Sequence, residues 1–170
     1  MQRNHRIIWR KNCCDSELNK GTEISFHLFL ESAKDQESDQ VKLITKFKEK
    51  IIKVAIVDDD LVVTAILKKL FSEVNFQVFT FNTSEKITEF LATENVDLIL
   101  TDLQIANVSG EDLIMKIRDM KNKNSEVPVI VITGDANRNN RSLEKLKVSE
   151  MIIKPIGREE LYSKVLKILE

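Results

Sequence analysis

Polar residues that suggest phosphoryl and metal chemistry follow four short apolar runs of this sequence. Asp58 and Asp59 come directly after one run, and Asp102, Thr133 and Lys154 end or follow the other three. Three carboxylates that converge repel one another, and a hard divalent cation relieves that repulsion. Oxygen ligands in a shallow, solvated site suit Mg²⁺ better than zinc. These residues therefore predict a magnesium site, if the fold brings them together.

The same set of residue types predicts a binding site for phosphoryl oxygens. Mg²⁺ and a lysine ammonium neutralise charge that develops on a transferred phosphoryl group, and a threonine hydroxyl can donate a hydrogen bond to it. An aspartate beside the metal can act as the nucleophile, which gives an aspartyl phosphate.

The elements that would position these residues alternate regularly from residue 51 onward. Runs rich in β-branched residues predict buried strands, and amphipathic stretches between them predict helices. The predicted strands are 53–57, 76–81, 96–101, 128–133 and 151–153. Five strand–helix pairs predict an α/β fold: a doubly wound, five-stranded parallel sheet with helices on both faces. The order 2-1-3-4-5 is the economical solution, and it places strands one and three side by side at the switch point, where ligands bind.

The helices are predicted from their apolar spacing and their caps. Asp60, Ser84 and Ser109 are the predicted N-caps of the first three helices, since their side chains can accept hydrogen bonds from the first turn. A polar fourth helix is predicted over 135–147, with Leu143 and Leu146 inward, and a fifth over 159–169. The apolar residues assigned to the buried face of the first helix are Val62, Val63, Ile66, Leu67, Leu70, Phe71 and Val74.

Composition argues against several classes of protein, namely those that bind nucleic acid, span a membrane or depend on disulfides. The 170 residues carry 26 Lys plus Arg against 27 Asp plus Glu, so no strong field favours nucleic acid or an anionic membrane. No apolar run approaches the length of a membrane span, and no signal peptide is expected. Cys13 and Cys14 are adjacent, which indicates reduced thiols in a cytoplasmic protein rather than a disulfide framework.

The C-terminal part resembles the receiver domain of two-component response regulators. The resemblance rests on VDDD at 57–60, TDLQIANVSG at 101–110, VITGDA at 131–136 and KP at 154–155. No single motif is specific, but their order, spacing and positions at strand ends are.

The resemblance implies a role for each residue of the predicted site. Asp102 would be the phosphoacceptor, and Thr133 and Lys154 would act on the phosphoryl group. Mg²⁺ would be held by Asp102, by the acidic pair Asp58 and Asp59, and by the backbone carbonyl of Gln104. Of the acidic pair, Asp59 is favoured as the direct ligand. The family's Lys–Pro bond is cis, which implies a cis bond between Lys154 and Pro155.

Two departures from the family pattern bear on signalling. Ile105 and Ala106 stand where the family often has Met-Pro, and Met151 stands where it has its switch aromatic. Two functions therefore stay open: a phosphoacceptor in a phosphorelay that changes partner contacts, and a non-switching, receiver-like protein-interaction module. A metal-dependent phosphatase is a weaker third, since Gln104 replaces the second Asp of an Asp-x-Asp pair.

The N-terminal part resembles another family. SELNKGTEISFHLFLE at 16–31, with a predicted strand over 22–30, is similar to the last strands of a histidine-kinase ATP-binding domain. This implies a fragment of a hybrid histidine kinase: a remnant over 1–31, a linker over 32–50 with a short helix over 41–50, and a receiver domain over 51–170. The predicted strand has no obvious partner within the chain.

These resemblances imply the partners. The expected phosphodonor is a phosphohistidine on a histidine kinase or a phosphotransfer protein, and no nucleic acid or membrane is expected. A weak homodimer, if one forms, is expected on the face between helices four and five. Because the kinase core is absent from the sequence, the chain is expected to catalyse only its own Mg²⁺-dependent phosphorylation and dephosphorylation.

Overall fold

The computed structural model describes residues 8–17, 21–29, 38–105, 108–135 and 145–170. The chain divides into two compact units, Met1–Gln36 and Glu37–Glu170. In the described residues, no helix is long and apolar enough to cross a bilayer.

The first unit contains an antiparallel hairpin of two strands, β1 (Ile8–Glu17) and β2 (Gly21–Phe29). Gly21 has a φ of 109°, which a glycine adopts more readily than any residue with a side chain. The strand predicted over 22–30 is thus present as β2. The expectation that it lacks a partner is wrong, because β1 pairs with it, with one irregularity in register between Trp9 and Asn12.

The second unit is built on a parallel sheet. Its five strands are β3 (Lys53–Val57), β4 (Gln77–Phe81), β5 (Leu98–Asp102), β8 (Val129–Thr133) and β9 (Glu150–Ile153). Their order is β4-β3-β5-β8-β9 and every pair is parallel. This confirms the predicted doubly wound fold, with β4 at one edge and β3 beside β5 at the switch point. A small antiparallel pair, β6 (Gln104–Ile105) and β7 (Val108–Ser109), follows β5.

Helices cover both faces of this sheet. Their bounds are α1 (Asp39–Lys46), α2 (Leu61–Ser72), α3 (Ser84–Thr93), α4 (Gly110–Arg118) and α5 (Arg158–Leu169). Along β3, Val54 and Ile56 join the core beneath α1, α2 and α5, whereas Ala55 and Val57 join the core beneath α3 and α4. This division follows from the alternation of side chains along a strand. The helix predicted over 135–147 lies largely outside the described residues, and Leu143 with it.

Helix α2 buries less of its apolar surface than predicted. Leu67, Leu70 and Phe71 are buried as expected, but Val62 is 66% exposed and Ile66 is 48% exposed. The apolar positions of this helix wrap around too much of its circumference for one face to bury them all. Leu61 is also exposed, at 73%, so the outer face of α2 is apolar over its first half, before the exposed Lys68 and Lys69.

The caps agree with the sequence in two of three helices. Asp60 accepts hydrogen bonds from the amides of Val62 and Val63, and Ser109 accepts one from the amide of Glu111. At α3 the N-cap is Thr83, one residue before the predicted Ser84. Thr and Ser cap helices by the same hydroxyl chemistry, so the TS dipeptide at 83–84 is ambiguous in the sequence.

Helix α1 is part of the second unit. Its Leu43 is fully buried in the core shared with α2 and α5, and the Phe47 ring that follows α1 packs edge-on against Phe76 at 6.0 Å. Lys46 forms an ion pair with Glu170 at 3.2 Å. The short helix predicted over 41–50 is therefore present, as α1 (Asp39–Lys46), and it packs into the core of the second unit although it belongs to the predicted linker 32–50.

Candidate functional site

The predicted site residues lie at one edge of the sheet. Asp58 follows the last residue of β3, Asp102 and Thr133 are the last residues of β5 and β8, and Lys154 follows β9. Because all four strands are parallel, their carboxyl ends share an edge. The register aligns them further, since Asp102 lies opposite Ile132 and Thr133 lies opposite Ile153.

Lys154 joins two of the predicted carboxylates. Its Nζ donates to Asp58 Oδ2 at 3.0 Å and to Asp102 Oδ2 at 2.6 Å. The Asp58 side chain is only 2% exposed and that of Asp102 is 12% exposed. Charge-assisted hydrogen bonds of this length are among the stronger polar contacts in proteins. The lysine therefore holds the two acidic groups of β3 and β5 at the switch point.

Burial and these charges shift two pKa values. Burial raises the pKa of the Asp58 carboxyl above its usual range, although the Asp60 amide and Lys154 both act against that shift. Burial alone would lower the pKa of Lys154, but its hydrogen bonds and charge interactions with Asp102 and Asp58 raise it overall. Lys154 therefore keeps its positive charge at neutral pH, which suits a group that binds phosphoryl oxygens.

The turn after β5 orients Asp102. Its Oδ1 accepts a hydrogen bond from the amide of Gln104 at 3.0 Å. Farther along, the amide of Gly110 donates to the carbonyl of Leu103 at 2.8 Å, which closes the β6–β7 pair. That bond makes Gln104 and Ser109 a non-hydrogen-bonded pair of the ladder. The ladder therefore does not use the Gln104 carbonyl, the backbone group predicted to bind metal.

Gly110 is a site residue to which the sequence analysis gave no role. A Cβ at this position would lie 2.1 Å from the carbonyl oxygen of Asp102 and 2.8 Å from the Cα of Leu103. Both are backbone atoms, so no side-chain movement can make room. Its only sequence signal is its place at the end of the motif 101–110, and the clash becomes visible only once the loop is folded.

Thr133 and Lys154 border an open cavity. The buried Thr133 Oγ1 accepts from the amide of Asp135 at 3.1 Å, which leaves its own proton to donate. The amide of Lys154 donates to the Thr133 carbonyl at 2.8 Å. The cavity has a volume of about 370 Å³, ample for a phosphoryl group. Its lining residues are Asp102, Gln104, Thr133, Gly134, Asp135 and Lys154.

The predicted convergence of three carboxylates is seen for two of them. Asp58 and Asp102 meet at Lys154, whereas Asp59 is an exposed residue at the same edge. Within the described part of the chain, no three acidic, histidine or cysteine side chains are gathered closely enough to hold a metal ion. The donors at this edge are nevertheless carboxylate oxygens and the Gln104 carbonyl, which are the hard ligands that Mg²⁺ prefers. The residues therefore fit this cation in type.

Met151 and the Lys154–Pro155 bond lie on either side of the end of β9. Met151 is partly buried against the core beneath α3 and α4, and its carbonyl accepts a hydrogen bond from Lys164 on α5. The peptide bond between Lys154 and Pro155 is cis, as the resemblance implied.

Residues 54–166 match the family model described as the response regulator receiver domain. The chain belongs to the response regulator receiver domain family. We call the second unit, Glu37–Glu170, the receiver unit. The match begins at β3 and so does not include α1.

Solved structures confirm the receiver fold. The chemotaxis response regulator CheY4 of Vibrio cholerae aligns with a TM-score of 0.65 at 16% identity, covering 71% of this chain and 100% of that chain. The receiver domain of the sensor histidine kinase PA1611 from Pseudomonas aeruginosa aligns with a TM-score of 0.61 at 20% identity, covering 69% of this chain and 95% of that chain. The latter structure has a magnesium ion coordinated in its active-site cleft.

Sensor kinases are among the curated relatives. The CAI-1 autoinducer sensor kinase/phosphatase CqsS of Vibrio cholerae is 25% identical over 114 residues, which cover 66% of this chain and 17% of that protein. This chain spans less than half the length of each of four curated relatives that it matches, of which two are sensor kinases.

Proposed function

We propose that the receiver unit accepts a phosphoryl group on Asp102 from a phosphohistidine donor, in a Mg²⁺-dependent reaction in the cytoplasm, and that this changes its partner contacts. The observation that supports the proposal best is the contact of one lysine ammonium with both Asp58 and Asp102, beside the cavity that Thr133 lines. The Asp102 carboxylate, the Lys154 ammonium and the Thr133 hydroxyl then surround the space in which a phosphoryl group would sit.

In the proposed step, an Oδ atom of Asp102 attacks phosphorus as the P–N bond to the donor histidine breaks. The donor leaves as neutral imidazole when its other ring nitrogen is protonated before the P–N bond breaks. Lys154 neutralises negative charge on the phosphoryl oxygens and Thr133 donates a hydrogen bond to one of them. The amide of Gln104, which donates to Asp102 Oδ1, leaves Oδ2 as the reacting oxygen once Lys154 moves to the phosphoryl group.

The proposed metal ligands are Asp58, Asp59, Asp102 and the Gln104 carbonyl. Bound there, Mg²⁺ would supply charge neutralisation for the phosphoryl oxygens. The hard oxygen donors of this edge support the assignment, and so does the magnesium ion in the cleft of the PA1611 receiver domain.

The proposal is tested by incubating the full chain with a small phosphodonor such as acetyl phosphate and measuring its intact mass. We expect one phosphoryl group to be added in Mg²⁺ and none in excess EDTA, because the carboxylates and the incoming anion repel each other without the cation. No addition in Mg²⁺ would instead favour the non-switching interaction module. That alternative is suggested by Met151, whose flexible side chain replaces the family's switch aromatic.

The exposed apolar face of α2 supports a protein as the phosphodonor. Leu61, Val62 and Ile66 are exposed on this helix, and Leu61 lines a small cavity together with Asp58 of the site. Exposed apolar residues that adjoin a functional site commonly mark a protein contact. A donor that docks there would bring its phosphohistidine to Asp102.

Ile66→Glu is expected to slow transfer from a protein donor about tenfold, while phosphorylation by acetyl phosphate keeps its rate, because only the protein donor contacts α2. The experiment measures the rate of phosphoryl transfer from a phosphorylated histidine phosphotransfer protein. The loss of labelled phosphate from that donor gives the rate. Met115→Glu is the matched control, since Met115 is 45% exposed on α4 against 48% for Ile66. Equal rates for the two variants with the protein donor would contradict docking on α2.

We propose that residues 1–31, which include the hairpin of β1 and β2, are a remnant of a histidine-kinase ATP-binding domain. The antiparallel pairing of β1 and β2 and the sensor kinases among the relatives support this origin. In that case the chain is a fragment of a hybrid kinase, with its receiver unit retained.

A further inference from the structure

The residue before the proposed phosphoacceptor has a buried hydroxyl with a specific partner. Thr101 lies inside β5 with no exposed surface, and its Oγ1 donates to the backbone carbonyl of Asp102 at 2.9 Å. A valine would have the same shape and a similar preference for a strand. Neither packing nor strand propensity therefore requires the Thr101 hydroxyl, and another role must account for it.

Gly110 lies close to the same peptide group. Gly110 lies so close that the position of its missing Cβ is 2.1 Å from the Asp102 carbonyl oxygen. Its amide also donates to the next carbonyl, that of Leu103. The peptide bond between Asp102 and Leu103 thus has a hydrogen bond from Thr101 on its carbonyl and the backbone of α4 packed against it.

That peptide begins the turn 102–104, which carries two groups of the proposed site. Asp102 supplies the carboxylate, whose Oδ1 accepts from the Gln104 amide, and Gln104 supplies the carbonyl proposed for the metal. A shift of the 102–103 peptide would displace both groups relative to Lys154, because it moves the Cα of Asp102 and the Gln104 amide that holds Asp102 Oδ1. Misplacement of a reacting group by about 1 Å can cost about 100-fold in rate.

We propose that Thr101 is a positioning residue for phosphoryl transfer, since its buried hydroxyl and the close approach of Gly110 together fix the peptide that orients Asp102 and Gln104. The proposal rests on the proposed function of Asp102. Thr101 touches neither the phosphoryl group nor the metal. It acts through the backbone of the turn.

The test compares Thr101→Val with Thr101→Ser in the full chain. Valine keeps the shape and removes the hydroxyl, whereas serine keeps the hydroxyl and leaves a small cavity that lowers stability. We expect the rate of phosphorylation by acetyl phosphate in saturating Mg²⁺ to fall about tenfold in Thr101→Val and to stay within about twofold of the wild type in Thr101→Ser. Both variants are expected to lose some stability, valine through the lost hydrogen bond and serine through the cavity. Only the variant without the hydroxyl would then react slowly, which a purely structural role does not predict.

Thr88→Val is the matched control, because the Thr88 hydroxyl also donates to a backbone carbonyl, that of Ser84 within α3. This variant should keep the wild-type rate. A wild-type rate in Thr101→Val, or rates that follow the urea midpoints of both Thr101 variants, would overturn the proposal. If Thr101→Val does not fold, Thr101→Ala against Thr101→Ser makes the same comparison, and equal rates there would also overturn it. Failure of the wild type to react would instead contradict the function of Asp102.

Discussion

Asp102→Asn is expected to abolish phosphorylation by a small phosphodonor, with a loss of more than about 1,000-fold in rate. The amide that replaces the carboxylate has no anionic oxygen to attack phosphorus. The variant should stay folded, because the Asn oxygen can still accept from the Gln104 amide or from Lys154, both of which donate to the Asp102 carboxylate. Intact mass after incubation with acetyl phosphate and Mg²⁺ measures the effect.

The control for this result is Asp119→Asn, which neutralises an exposed aspartate at the C-cap of α4. It makes the same chemical change outside the proposed site and should react like the wild type. If Asp102→Asn gained a phosphoryl group at the wild-type rate, the nucleophile would be another residue. Peptide mapping of the product would then identify it.

Gly110→Ala is expected to lower the free energy of unfolding by about 3 kcal/mol or more, at the upper end for an overpacked site. The added Cβ would meet the Asp102 carbonyl oxygen at 2.1 Å, a distance that only movement of the loop or of the start of α4 can relieve. Urea unfolding followed by far-ultraviolet circular dichroism measures the loss. Whatever fraction remains folded should react slowly with acetyl phosphate, because Asp102 has moved.

Gly157→Ala provides the comparison for this effect. The nearest atom to a Cβ at Gly157 is the Glu160 Cβ at 3.9 Å, an ordinary contact. Both glycines lie at the start of a helix, so the effect of replacing glycine by alanine on the backbone is similar in the two variants. The difference between them then reports the steric clash at Gly110. Similar midpoints for the two variants would show that the loop after β5 yields to the extra methyl group.

The sheet and the site edge could be predicted from the sequence because both depend on local signals. Continuous β-branched runs such as 128–133 indicate strands buried on both faces, and each such run ends in a polar residue. In a parallel sheet, strand order then decides which polar residues meet. The predicted order places Asp58, Asp102 and Lys154 together, and in the structure Lys154 contacts both carboxylates.

Other features depend on contacts that no local pattern reveals. Strand β1 has the sequence IWRKNCCDSE, which lacks the alternation of a half-buried strand and contains a register irregularity. The short helix predicted over 41–50 is found as α1 (Asp39–Lys46), but so short a segment does not indicate that it packs into the core shared with α2 and α5. The role of Gly110 appears only when α4 and β5 are placed against each other. The proposed role of Thr101 depends on the burial of its hydroxyl in the folded sheet, where it contacts the backbone of Asp102.

Helix α1 also determines where the chain can be cut if the receiver unit is to be produced or transferred by itself. A boundary drawn from the family match, at residue 54, would remove Leu43 and Phe47 and open to water the apolar surface that they cover near Phe76. A fragment that begins at residue 54 would lose part of its hydrophobic core and would expose an apolar surface that promotes aggregation. The segment that could be transplanted intact into another signalling protein is Glu37–Glu170.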